Sequence, residues 1–194
     1  FDPPDVKKPG PEWTETSPFL AAQLVEEVKL NPETYGPWGR EWKPFRELLY
    51  PPLYAIFAPG TEAGLGEVDR NHAATLLGDL YRDDPKTLVT LILESDSRQF
   101  GNLKHHLLDP AHQQAIRTEL FSAFHQPITP LQLETPPSRE NTGFQAAVAR
   151  NQGKVEEFLR RIRHQAHAAV ALLEFDETKP VLTALAPAET PDLQ

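Results

Sequence analysis

Between Asn71 and Leu93 the chain reads NHAATLLGDLYRDDPKTLVTLIL, with apolar residues at helical spacing on both sides of a polar break. Ala73, Leu76, Leu77 and Leu80 stand at i, i+3, i+4 and i+7, one stripe of a helix. Asp84-Pro85 marks the start of the next helix. Asp accepts hydrogen bonds from N-terminal N–H groups, and Pro at the first helical position gives up an N–H that has no partner there. Leu88, Leu91 and Ile92 then form an inner face. The pattern returns later: His167-Ala168-Ala169 repeats His72-Ala73-Ala74, and Pro180 lies as far beyond His167 as Pro85 lies beyond His72. Two matching hairpins predict an all-α chain of stacked helical hairpins, a HEAT-like α-solenoid segment.

The rest of the chain divides on the same signals. Residues 1–16, FDPPDVKKPGPEWTET, have no period and read as an extended leader, with Trp13 pinning it to the body. A helix is predicted from about Pro18 to Leu30, with Leu20, Leu24 and Val28 inward, followed by the aromatic loop NPETYGPWG. Trp42, Phe45, Leu49, Leu53, Ile56 and Phe57 share one helical face, but Pro51-Pro52 predicts two helices meeting at an angle. After a Gly-rich loop comes the hairpin at 67–95, then a short helix over 97–108. A longer helix starts at Asp109-Pro110, with Ile116, Leu120, Phe121 and Phe124 inward. The helical block thus spans 17–125, and the proline-rich run 126–141 reads as a linker. Residues 142–194 carry the longest helix and a final hairpin of a truncated array. That helix has Val155, Phe158, Leu159, Ile162, Ala166, Ala169, Val170 and Leu173 as its predicted inner stripe. No alternating run of β-branched residues predicts a strand.

Composition narrows the function. The 194 residues suffice for a core, and 39% are hydrophobic. The 28 acidic side chains outnumber the 19 basic ones, for a net charge of −9, which argues against nucleic acid as the partner. The absence of cysteine excludes disulfides, thiolate metal sites and thiol nucleophiles. No apolar run approaches the roughly 18 residues that span a bilayer, so no membrane insertion is expected within this segment. The 20 prolines are about twice the usual ~5% share and sit largely at helix starts. With Phe1 at the start, the chain reads as a fragment or processed product.

Candidate chemistry is sparse. His164 and His167 stand at i, i+3, yet a metal site needs more ligands, and a solvated pair is the simpler reading. His105 and His106 are read as pointing in different directions on a helix, so no metal site and no cofactor are expected. Gly60, Gly64 and Gly66 lack the flanking strand and Lys of a phosphate loop. Asp83-Asp84, Glu94 and Asp96 fit helix capping better than acid–base work. Two groups suit binding. Tyr35, Trp38, Trp42 and Tyr50 beside Arg40 and Arg46 offer aromatic and cationic anchors for a peptide, or else a packed loop core. Arg160, Arg161 and Arg163 form a basic cluster for an acidic protein segment, or a solvated face; Ile162 between them is predicted inward.

The runs NPETYGPWGREWKPFRELLYPPLYAIF, NHAATLLGDLYRDDPKTLVTLILESDSRQFGNL and RHQAHAAVALLEFDETKPVLTAL resemble the helical repeat region of large planctomycete multidomain proteins. In these a serine/threonine kinase domain is often followed by a membrane segment, HEAT-like helices and a domain of the formylglycine-generating (sulfatase-modifying) type. The resemblance covers most of the chain in order, and it rests on packing and turn motifs. It implies an interior slice of a bacterial signalling protein, without the kinase Gly-rich loop, HRD and DFG runs, and without the cysteines of the oxidase-type domain. An extracytoplasmic position is implied by the resemblance, with a cytoplasmic one as the alternative. The expected function is non-catalytic: an interaction scaffold or spacer for a protein or peptide partner, including flanking domains of the same protein. A ligand-sensing regulatory domain of a linked kinase is the alternative.

Overall fold

The computed structural model of the chain describes residues 10–31, 41–58, 66–136 and 143–185. Tyr35, Trp38 and Arg40 lie outside these residues, as do Gly60 and Gly64. Among the described residues the helices are α1 (Pro11–Leu30), α2 (Arg46–Phe57), α3 (Glu67–Leu80), α4 (Pro85–Glu94), α5 (Ser97–Leu107), α6 (Gln113–Phe124), α7 (Phe144–Leu173) and α8 (Thr178–Leu185). A 3-10 turn, Lys43–Phe45, precedes α2, and no strand occurs among them. The class is all-α. The chain divides into two compact units, residues 1–119 and 120–194.

In the first unit α3 is the central helix, packed against α1, α2, α4 and α5. Small residues at Ala73, Ala74 and Gly78 let neighbours approach its backbone, while Leu76, Leu77 and Leu80 fill the space between helices; all are buried. Capping fits the local sequence. Asp84 accepts the Thr87 N–H at the start of α4, and Asp96 accepts the Arg98 and Gln99 N–H groups at the start of α5. Asp69, in the first turn of α3, accepts from the Gly66 N–H and from Lys29 Nζ in the last turn of α1. One ion pair thereby joins two helix ends whose partial charges both favour it.

A buried polar knot ties α2, α3 and α5. Gln99 is fully buried; its Nε2 donates to the Phe57 carbonyl at 2.8 Å, and its Oε1 accepts the Asp96 N–H at 2.9 Å. Arg70 donates to the same carbonyl and to Asp96 Oδ2. The end of α2 is capped from two other helices.

Two expectations about prolines fail here. Residues 11–16, expected as extended leader, are the first turns of α1, with Pro11 at its first position. Pro18 lies inside that helix, and Ser17 Oγ donates to the Thr14 carbonyl, the acceptor that Pro18 has no N–H to reach. Likewise α2 runs through Pro51 and Pro52 as one helix, and the break falls at the 3-10 turn before Arg46. Burial of Leu49, Leu53, Ile56 and Phe57 along one face offsets the two lost helical bonds.

In the second unit α7 and α8 pack as a hairpin, turning at Asp176, whose φ of 60° lies in the left-handed region that Asp tolerates. Ala168 and Ala169 are buried like Ala73 and Ala74, and Ala171 and Leu172 are buried like Leu76 and Leu77. Pro180 is the third residue of α8, whereas Pro85 is the first of α4. Residues 126–136 are non-helical and fastened to α7. Asn151 bonds both backbone groups of Glu134, whose carboxylate receives Arg150 and Lys154; Gln165 donates to the carbonyls of Phe124 and Gln126. The predicted inner stripe of α7 is corrected in part: Leu159, Ile162, Val170 and Leu173 are 41–51% exposed. The buried face is instead the one carrying Ala168, Ala171 and Leu172, where α8 supplies a partner.

Candidate functional site

Packing of α1 on α2 leaves an open groove of about 560 Å³. Its walls are mostly apolar: Pro18 and Ala22 from α1, and Leu48, Pro51, Pro52, Ala55 and Ile56 from α2, with Thr14, Ser17 and Glu47 as the polar members. The prolines shape its chemistry. Pro51 and Pro52 have no N–H for the carbonyls of Glu47 and Leu48, so these acceptors, on residues that line the groove, are released from the helical ladder. An aromatic cluster lies next to the groove residues in sequence: Trp13 stacks on Phe45 at 6.5 Å, and Trp42 meets Phe45 edge-on at 5.9 Å.

Trp42 is half-buried through that contact. Arg46 is held more firmly. Its guanidinium pairs with Asp83 at 2.9 Å and Glu47 at 3.3 Å and lies over the Tyr81 ring, and its carbonyl accepts from the Tyr81 hydroxyl. It joins α2 to the turn after α3. Burial works against ionisation of Asp83, but the Lys43 hydrogen bond and the Lys43 and Arg46 charges prevail and hold its carboxyl below the usual range. Burial pushes the Tyr81 phenol well above its ordinary value.

The basic cluster on α7 is largely engaged within its own helix. Arg160 and Arg161 both pair with Glu157 at 2.6 and 2.8 Å, and hydrogen bonds from Arg161 and Arg160 lower the Glu157 carboxyl. Such exposed pairs are screened by solvent and contribute little to stability. Arg163 is exposed on α7, and so is Ile162, expected inward. Arg161 also lines a pocket of about 280 Å³ with Lys154, Phe158 and residues 129–132.

A third grouping escapes the sequence reading. His105 and His106, read as diverging, have ring centroids 3.8 Å apart at the end of α5, and His106 Nε2 lies 3.5 Å from Asp79 Oδ1 of α3. His106 is only 7% exposed. Burial first, then the neighbouring His105 and Arg82, push its pKa down to about 4 against the opposing charge of Asp109. Asp79 is pushed up by burial, with His105 and Arg82 opposing. The signal available in sequence was Gly78, a glycine inside α3, where a side chain would have met the imidazole.

No helix among the described residues is long and apolar enough to cross a membrane. Comparison finds no matching protein family, no matching curated protein and no matching solved structure.

Proposed function

We propose that the chain is a non-catalytic helical module, a HEAT-like interaction scaffold or spacer within a larger signalling protein of the kind it resembles, and that it takes an extended peptide segment into the α1–α2 groove. The observation that carries this reading is the groove itself. Its apolar walls suit apolar side chains, and the acceptors released at Glu47 and Leu48 suit the N–H groups of an extended backbone. Trp13, which precedes the groove residue Thr14, is of the residue type that dominates binding energy. An open groove favours a peptide over an enclosed small-molecule effector, which sets this reading ahead of ligand sensing.

The test is selection of a displayed random-peptide library against the full chain, with counter-selection on Ala55→Arg, which fills the groove from an exposed position. Selected peptides are expected to carry spaced apolar residues and to lose at least about tenfold in affinity for Ala55→Arg and Leu48→Asp, both retaining wild-type circular dichroism. Peptides that bind all three proteins equally, or a selection that enriches nothing, would overturn the reading.

A further inference from the structure

We propose that Asp79, His105 and His106 form a binding site for a divalent transition-metal ion, best suited to zinc, where α3 and α5 end side by side. Arg70 of α3 pairs with Asp96 at the start of α5, and Gly78 abuts Leu103 and His106 near its end, so the two helices run parallel. Their C-termini therefore meet, and both present partial negative charge to the same place, which favours a cation.

The donor atoms have the spacing that coordination needs. One ligand atom from each of the three residues lies within 4.8 Å of the other two. Metal–ligand bonds of about 2.0–2.2 Å around a tetrahedral zinc put neighbouring donors ~3.4 Å apart. The His106 Nε2 to Asp79 Oδ1 separation is 3.5 Å. At that separation the two atoms make no hydrogen bond, and His106 Nε2 is buried without any partner. Buried imidazole nitrogens are ordinarily satisfied, so an orphan aimed at a carboxylate and a second imidazole marks a place for a shared ligand.

The surroundings hold the arrangement in place. A Cβ at position 78 would stand 2.8 Å from His106 Nε2 and 2.9 Å from Leu103 Cδ2, so glycine there is what admits the ring to Asp79. Asp79 is half-buried and His105 exposed, which leaves the outer side open for the water that completes a three-ligand site. Arg82 bears on both Asp79 and His106 and opposes a cation, Asp109 bears on His106 in the other sense, and direct ligation by two imidazoles and a carboxylate has to outweigh Arg82. Nitrogen and oxygen donors without sulfur suit zinc, cobalt or nickel over softer ions.

Zinc chloride titrated calorimetrically into the full chain near neutral pH is the first measurement, with cobalt absorption and imidazole ¹⁵N spectra beside it. One equivalent is expected, with shifted nitrogens at His105 and His106 and unmoved ones at His72, His112, His125, His164 and His167. Asp79→Asn and His105→Gln, at positions that are not buried, are each expected to weaken binding by about tenfold or more while helicity is kept. Absence of zinc uptake would leave only a proton-dependent contact between Asp79 and His106 and would overturn the proposal. So would affinity unchanged in both variants, or shifts centred on His164 and His167. The Ala55→Arg chain should bind zinc normally, which separates this site from the groove.

Discussion

Single residues in the first unit act by closing polar accounts between helices that sequence keeps far apart. Gln99 and Arg70 cap the Phe57 carbonyl, and Ser17 replaces the donor that Pro18 lacks. Asn71 Oδ1 and His106 Nε2 are exceptions, buried without a partner, and the His106 ring nitrogen makes stability depend on pH. Its folded-state pKa of about 4 lies below the ordinary 6.5. The unfolded chain therefore takes up a proton first as pH falls, and the stability present above 6.5 is lost progressively toward 4, by up to about 3 kcal/mol. Asp79 acts in the opposite sense at the lower end, because its raised pKa lets the folded chain gain a proton first. With a chelator present, urea unfolding of the wild type should weaken between pH 6.5 and 5, and His106→Gln should flatten that slope. An equally steep slope in the variant would assign the dependence elsewhere.

At the scale of elements, prolines and stripes decide what each helix does. Pro18, Pro51 and Pro52 interrupt hydrogen bonding without ending α1 or α2: α2 buries an apolar face on both sides of its prolines, whereas in α1 Ala21, Leu24, Val25 and Val28 are buried after Pro18 and Trp13 stacks on Phe45 before it. The same interruption takes the helical donors away from the Glu47 and Leu48 carbonyls. On α7 two apolar stripes compete: one with Ala168, Ala171 and Leu172 is buried, and another with Leu159, Ile162, Val170 and Leu173 faces out. Leu172→Ala should cost about 2–5 kcal/mol by cavity formation. Leu159→Gln should stay within ~0.5 kcal/mol. Chemical denaturation of both variants checks this assignment, and a large loss at Leu159 would show that its stripe is covered.

For the whole molecule, charge and helical architecture set the possibilities. A net charge of −9 predicts no mobility shift of duplex DNA at physiological salt, and a shift abolished by high salt would contradict it. Much of the architecture was legible because its causes are local. Asp84 and Asp96 cap the helices that follow them, and Ala73, Leu76, Leu77 and Leu80 are buried at the spacing that a helix imposes. Capping and periodicity depend on neighbours within one or two turns, which a sequence contains. Where helices survive a proline, which of two stripes on α7 is covered, and what Arg46 holds were not legible, since each depends on a partner element. The α1–α2 groove and the meeting of Asp79 with His106 belong to the same class. The sequence by itself determined the all-helical class, the starts of α4 and α5 and the acidic balance. Only the tertiary structure decided which side chains from distant helices share a site, because that depends on how packed helices align in register, and no local spacing encodes it.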